Sequence, residues 1–260
     1  MCDCGFRVAD YLHRIGVDGP VVPNLENLEK ITRAHLKEIP FENMLVYDEH
    51  QEPSMEPGEL FDKVVNRKRG GYCFELNKSF FLLLQGLGYE CYPIPARVIH
   101  NRQEPCGVSH RGTIVKLDGK RYFCDVGFGG AGPKNVICLE TEEIQEAAGE
   151  RFTVRQEGDS FVIAIHEADG PQNVLRIHDY PWLDVDFLTL NRYYATYHGS
   201  PFRNRRVLYR CTDEGWVSLT DKVFTVKRNG VKTVQTLETE EQVAAVIAEH
   251  FGLEIPVCVL

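Results

Sequence analysis

The chain has 260 residues, 43% of them hydrophobic and 26% charged, and a formal net charge of −9. That length buries a sizeable core, as one large domain or two to three small ones. The acidic balance excludes nucleic acid as the main partner, since phosphate binding needs a surplus of Lys and Arg. No apolar run reaches membrane-spanning length. Met1 to Cys4 lacks the basic and then apolar regions of a secretory signal, so a cytoplasmic location is expected. The nine cysteines are odd in number and scattered, which suggests free thiols. Neither Cys2 with Cys4 nor Cys106 with His110 has the second half of a zinc site, so no metal is expected.

In chain order, apolar periodicity divides the sequence into three regions, 1–90, 91–183 and 184–260. In the first, helical spacing covers Val8 to Ile15, Leu25 to Leu36, Gly58 to Val65 and the segment after Cys73, with Asn24 and Pro57 at expected helix starts. In the second, the period falls to two. Arg111 to Leu117, the turn Asp118-Gly119 and Arg121 to Val126 form the clearest hairpin. Phe152 to Arg155 and Phe161 to Ile165 make another, and Val174 to His178 follows a Gly-Pro break. Short strands at this spacing predict a small antiparallel barrel or sandwich. The third region is mixed: Asp184 to Tyr194 is helical, two hairpins turn at Asp213-Glu214-Gly215 and Asn229-Gly230, and Thr239 to Phe251 forms a closing helix before Gly252.

The segment Arg69-Gly70-Gly71-Tyr72-Cys73-Phe74-Glu75-Leu76-Asn77 sets a cysteine directly after a Gly-Gly turn, at the start of an apolar helix. Unpaired N–H groups at a helix start favour a thiolate, the nucleophilic form, and Arg67, Lys68 and Arg69 push the same way. The competing reading is a small buried hydrophobe. A catalytic thiol needs a base and a group to orient that base. Among nine histidines, His13, His35, His50 and His250 fall in expected surface helices or turns, His166 and His178 at solvated strand ends, and His198 in a loop. His110 opens the first strand of the clear hairpin, and Asp125 ends the second in an apolar setting, at the same end of the unit. Asp125 as a cap of the glycine turn that follows is the alternative. Cys73, His110 and Asp125 thus suggest nucleophile, base and orienter for acyl transfer.

These residues, taken with Pro40-Phe41-Glu42-Asn43, Arg97-Val98 and Asp125-Val126-Gly127-Phe128-Gly129 in that order, resemble the arylamine N-acetyltransferases. The 37 residues from Cys73 to His110 and the 15 from His110 to Asp125 also resemble that family's spacing. The resemblance implies an α+β fold: an N-terminal helical bundle, a middle antiparallel β-barrel and a C-terminal α/β lid, with a cysteine-proteinase-like arrangement of the core. It implies a ping-pong reaction in which Cys73 takes an acetyl group from acetyl-CoA and passes it to an arylamine, arylhydrazine or N-hydroxyarylamine. Acetyl-CoA is then a co-substrate, with no permanently bound cofactor.

By the same resemblance, Arg69, Glu42, Asn43 and Asn77 tie the helix start to the barrel. Phe41, Val98 and Phe128 line the acceptor pocket, although Val98 and Phe128 also read as core. Val108, Ser109, Tyr193, Gly199 and Ser200 fall in the CoA-contacting segments, which are Val108-Ser109 and Tyr193 through Phe202. Arg203, Arg205 and Arg206 either meet its phosphates or form a solvated turn. The chain has no room for the insertion of vertebrate members, which favours a bacterial-type lid; separately, a monomer or weak homodimer with no membrane partner is expected. Competing functions are a papain- or transglutaminase-like thiol hydrolase, a macrolactam-forming amide synthase, and a non-catalytic CoA or aromatic-ligand binding module.

Overall fold

The computed structural model describes residues 5–102, 104–147 and 149–255; Cys2 and Cys4 lie outside them. The helical part begins with α1 (Val8–Arg14) and α2 (Leu25–Glu38). Asn24 caps α2 by accepting the Asn27 N–H at 2.8 Å. Leu28, Ile31 and His35 share the buried stripe of α2. His35 is therefore fully interior rather than on the surface, with its Nδ1 3.0 Å from the Tyr11 hydroxyl. Burial, with the Arg14 charge adding to it, pushes the imidazole down to about 3. A short strand β1 (Phe41–Glu42), α3 (Met44–Tyr47) and α4 (Pro57–Phe61) follow. The helix anticipated over Gly58 to Val65 widens into a π-turn at Asp62–Asn66. That turn delivers Lys63 to the interior. Next, α5 (Cys73–Gly86) is buried on nearly every face and forms the axis of the core.

The middle of the chain supplies β2 (Glu90–Val98), β3 (His110–Leu117), β4 (Lys120–Cys124), β5 (Ile137–Cys138), β6 (Gln145–Ala147), β7 (Glu150–Glu157), β8 (Ser160–Glu167) and β9 (Gly170–His178). They form one antiparallel sheet in the order β5-β4-β3-β2-β9-β8-β7-β6. The Gln145 side chain spans the seam between the two edges: its amide donates to the Cys138 carbonyl at 2.9 Å and accepts the Cys138 N–H at 2.8 Å. The sheet thereby nearly closes into a barrel instead of stacking as a sandwich. Ile94, Ile114, Phe123, Phe152, Ile163 and Leu175 fill the inside. At the β3–β4 turn, Asp118 and Gly119 have φ of 50° and 75°, the left-handed pair that matches strand twist.

The last part contains α6 (Asp184–Thr196), α7 (Pro201–Asn204), β10 (Val207–Thr212), β11 (Gly215–Thr220), β12 (Val223–Arg228), β13 (Val231–Thr236) and α8 (Glu240–Phe251). Its sheet runs β1-β10-β11-β12-β13, so the helical part donates an edge strand, which periodicity did not signal. Val243, Ile247 and Phe251 of α8 pack on Leu208, Leu219 and Phe224 of that sheet. Thr239 caps α8 at its start, and Gly252 ends it with φ of 66°. The α+β architecture agrees with expectation. No helix among the described residues is long and apolar enough to cross a membrane.

The native state keeps His35 neutral, while an unfolded chain protonates it below its ordinary value of 6.5. Unfolding then takes up a proton, so stability falls as pH drops from 6.5 towards 3. His35→Gln retains a partner for Tyr11 and cannot ionise. Urea unfolding across this range should show a shallower acid loss for His35→Gln than for wild type. Equal slopes would contradict burial of a neutral imidazole.

Candidate active site

Cys73 is the first residue of α5, with Tyr72 as its N-cap. The turn before it is held from both sides. Glu75 accepts the Tyr72 N–H at 3.1 Å and an Nζ proton of Lys63 at 2.7 Å. The Gly71 carbonyl accepts the Glu42 N–H at 2.9 Å, tying the turn to β1. The Tyr72 hydroxyl reaches across to Asn191 of α6. Behind the turn, Arg69 bridges Glu42 and Glu49 at 3.2 Å each, and Lys63 also lies 3.7 Å from Glu42. Burial would raise the Glu42 carboxyl, but Lys63 and Arg69 outweigh it and hold the group below its ordinary value. Asn43 donates to the Phe202 and Arg205 carbonyls at 2.7 Å and accepts the Val207 N–H at 2.7 Å. Of the four residues assigned to tying the helix start to the barrel, Arg69 and Glu42 pair behind the turn and Asn43 bonds the C-terminal part, while Asn77 reaches the barrel.

Asn77 lies one turn beyond Cys73 on α5. Its amide donates to Asp125 Oδ1 at 2.9 Å and to the Arg111 carbonyl at 2.5 Å, and its oxygen accepts the Val126 N–H at 2.9 Å. Asp125 Oδ1 also accepts the Gly127 N–H at 2.9 Å. The second carboxylate oxygen lies 2.6 Å from His110 Nε2, with both side chains buried. The β3–β4 ladder ends at the pair Thr113–Cys124, so Asp125 meets His110 after the chain has left the strand, not across a regular pair. Burial on its own would push the His110 imidazolium down. Asp125, by charge and hydrogen bond, and Cys73 outweigh it and hold the group up at about 10. Burial likewise would raise Asp125, yet His110, Asn77 and the Gly127 N–H keep it below its ordinary value.

Cys73 is 2% exposed, as the competing core reading required, but it also lines a pocket of about 180 Å³ together with His110. Its Sγ lies 4.0 Å from the Ser109 carbonyl. Phe41, Val98 and Phe128 are in the wall, and the Phe128 ring meets His110 edge-on with centroids 5.7 Å apart. Arg102, Tyr194 and Phe202 also line it; Tyr194 and Phe202 fall in the 193–202 segment assigned to CoA, whereas sequence reasoning missed Arg102. Ser109 reaches the wall, but its hydroxyl accepts the Val98 N–H at 3.1 Å. Val108 is half-buried outside this pocket, and Tyr193 sits exposed on α6, stacked on Tyr197 at 4.8 Å. Gly199 is exposed, whereas Ser200 is buried and donates to the Tyr194 carbonyl at 2.6 Å.

The basic turn needs one correction. Arg206 is a buried partner of Asp48, at 2.5 Å, and of Glu240, at 3.1 Å, so it is neither solvated nor open to phosphate. A larger cleft of about 650 Å³ adjoins the pocket through Gly129 and Val207, between the barrel and the C-terminal sheet, with Arg151, Trp216, Lys227 and Lys232 on its walls.

Residues 24–258 match the N-acetyltransferase family. The arylamine N-acetyltransferase of Mycolicibacterium smegmatis is 30% identical over 250 residues, 94% of this chain and 91% of that protein. The solved structure of the M. smegmatis arylamine N-acetyltransferase superposes with a TM-score of 0.90 at 30% identity, covering 96% of this chain and 93% of that one. The Mycobacterium marinum arylamine N-acetyltransferase in complex with CoA also gives 0.90, at 27% identity over 95% and 92% of the two chains. Fold and sequence together define an acyltransferase. The chain belongs to the arylamine N-acetyltransferase family.

A Cβ on Gly127 would stand 2.8 Å from both Asn77 Nδ2 and the Cys73 Cα. Gly127→Ala should therefore cost about 1–3 kcal/mol in urea unfolding and slow thiol labelling at Cys73 by more than about tenfold. Wild-type stability and labelling would refute this packing.

Proposed function

We propose that this protein transfers an acetyl group from acetyl-CoA to the nitrogen of arylamines, arylhydrazines or N-hydroxyarylamines, through an acetyl thioester on Cys73. The observation that carries the reading is the buried chain Asn77–Asp125–His110 ending at the Cys73 pocket. With His110 held up at about 10, an imidazolium is the resting form at neutral pH and Asp125 stays ionised beside it.

In the first half-reaction the Cys73 sulfur attacks the thioester carbonyl and the bond from that carbon to the CoA sulfur breaks. The departing sulfur takes the His110 proton and leaves as a thiol. In the second, the amine nitrogen attacks the acetyl-cysteine carbonyl, the carbon–sulfur bond to Cys73 breaks, and His110 accepts the amine proton. The starting ion pair is restored, so His110 serves as acid and then as base. Asp125 orients the ring and compensates its charge.

The three regions divide the labour. Residues 1–90 present the nucleophile, 91–183 the base and its orienter, and 184–260 close the pocket with Tyr194 and Phe202. The apolar wall of Phe41, Val98 and Phe128 suits an aromatic ring. Of the segments that the family likeness assigns to CoA, Ser109 borders this pocket. The adjoining cleft has the volume for a nucleotide, with Lys232 and Arg151 for phosphate and Trp216 for stacking on the base. A free thiol nucleophile fits a cytoplasmic, reducing setting.

Intact-mass measurement after mixing with acetyl-CoA, without amine, should find one added acetyl group that digestion maps to Cys73. Cys73→Ser should fold and lose at least about a thousandfold in transfer rate. Labelling elsewhere, or rapid release of free acetate without any amine, would overturn the proposal.

A further inference from the structure

Behind the triad lie two buried cations on one half-exposed carboxylate, a cluster that the reaction above does not use. Arg111 follows His110 on β3, and Lys78 follows Asn77 on α5. Alternation along the strand sends the Arg111 side chain to the opposite face from His110. Its guanidinium is 0% exposed and lies 4.6 Å from the Phe187 ring centroid, while Lys78 is also buried. Both cations converge on one carboxylate: Asp184 Oδ1 is 2.8 Å from Arg111 Nη2, and Asp184 Oδ2 is 3.4 Å from Lys78 Nζ. Arg111 Nε and Nη1 have no hydrogen-bond acceptor among the described residues. Two buried positive charges therefore share one carboxylate, Asp184, whose side chain is 41% exposed, which leaves an excess of one buried cation.

Such an arrangement is costly to bury, and apolar residues of similar volume would usually serve stability as well or better. Its placement supplies another reason for it. Asp184 opens α6, the helix that carries Asn191 to Tyr72 and Tyr194 to the pocket wall. The Arg111 carbonyl in turn accepts from Asn77. We propose that Asp184, Arg111 and Lys78 form a positioning cluster: it clamps α6 onto β3 and α5, and its unbalanced positive charge sets the pH window of the Cys73–His110 pair. The inference rests on the reading of those two residues as nucleophile and base. The charged groups at the cluster are Lys78 from α5, Arg111 from β3 and Asp184 from α6, and the rings of Phe81 and Phe187 face Arg111. Those at His110 are Asp125 and Cys73, with Arg102 on the wall of the same pocket.

The sign follows from electrostatics. Added positive potential favours the thiolate and disfavours the imidazolium, so both limbs of the pH profile move to lower pH. Asp184→Asn raises the buried excess by one charge. Arg111→Met and Lys78→Met each remove it and leave a balanced pair. The experiment follows iodoacetamide alkylation of Cys73 by mass spectrometry, and acetyl transfer, across pH for each variant.

Asp184→Asn should shift the profile to lower pH, and the two Met variants to higher pH, by roughly 0.3–1 unit. Asp184→Glu should restore the wild-type profile. If Arg111→Met does not fold, Lys78→Met carries the same sign. Shifts in one common direction, or rates that fall with no shift, would overturn the proposal and leave the cluster as packing alone. The outcome in which wild-type Cys73 is not the preferred site of alkylation is distinct: it would remove the underlying reading and this inference with it.

Discussion

The architecture depends on keeping one ionised carboxylate, Asp125, away from water. An isolated charge in that position would be prohibitively unfavourable, so every lone pair facing the protein must find a donor. His110, Asn77 and the Gly127 N–H are those donors, and each belongs to a different segment. Satisfying Asp125 therefore brings β3, α5 and the loop after β4 to one point. Since Asn77 stands one turn from Cys73, the same contacts fix where the sulfur lies relative to the imidazole. The chemistry and the packing share the same bonds here.

The opposite flank of the Cys73 turn follows the same logic with different groups. Glu42, Glu49 and Glu75 meet Arg69 and Lys63 in a largely buried network. One lysine serves two carboxylates, and the outcome is asymmetric: Glu42, which also has Arg69, stays below its ordinary value, whereas burial leaves Glu75 above its own. The π-turn at Asp62–Asn66 matters because it carries Lys63 into this network. Strand β1 adds the connection to the C-terminal sheet, and Asn43 bonds the backbone on either side of Arg205. The helix start that carries Cys73 is thus braced by all three regions, which fixes the place of its sulfur.

Local signals were readable where a single residue type serves a local need. Asn24, Thr239 and Gly252 mark helix ends because backbone groups there lack partners, and Asp118-Gly119 turns a hairpin because the twist demands left-handed residues. The pairing of His110 with Asp125 was foreseeable from hairpin register, though the actual contact comes from chain beyond the ladder. His35 misled because a histidine on an amphipathic helix usually faces solvent; only Tyr11 and Phe80, distant in sequence, make an interior place for it. Arg206 misled for a related reason, since its partner Asp48 lies 158 residues away.

Order and spacing along the chain determined the succession of helices, antiparallel strands and a mixed last region and pointed to Cys73, His110 and Asp125 as candidates, because caps, turns and periodicities depend on neighbours within a few residues. Tertiary structure alone decided the pocket wall of Arg102, Tyr194 and Phe202, the edge strand at Phe41–Glu42, the Gln145 seam, and the convergence of Arg111 and Lys78 on Asp184. Those features arise from contacts between remote segments. Burial and charge compensation are properties of an enclosed volume, and no stretch of sequence carries them by itself.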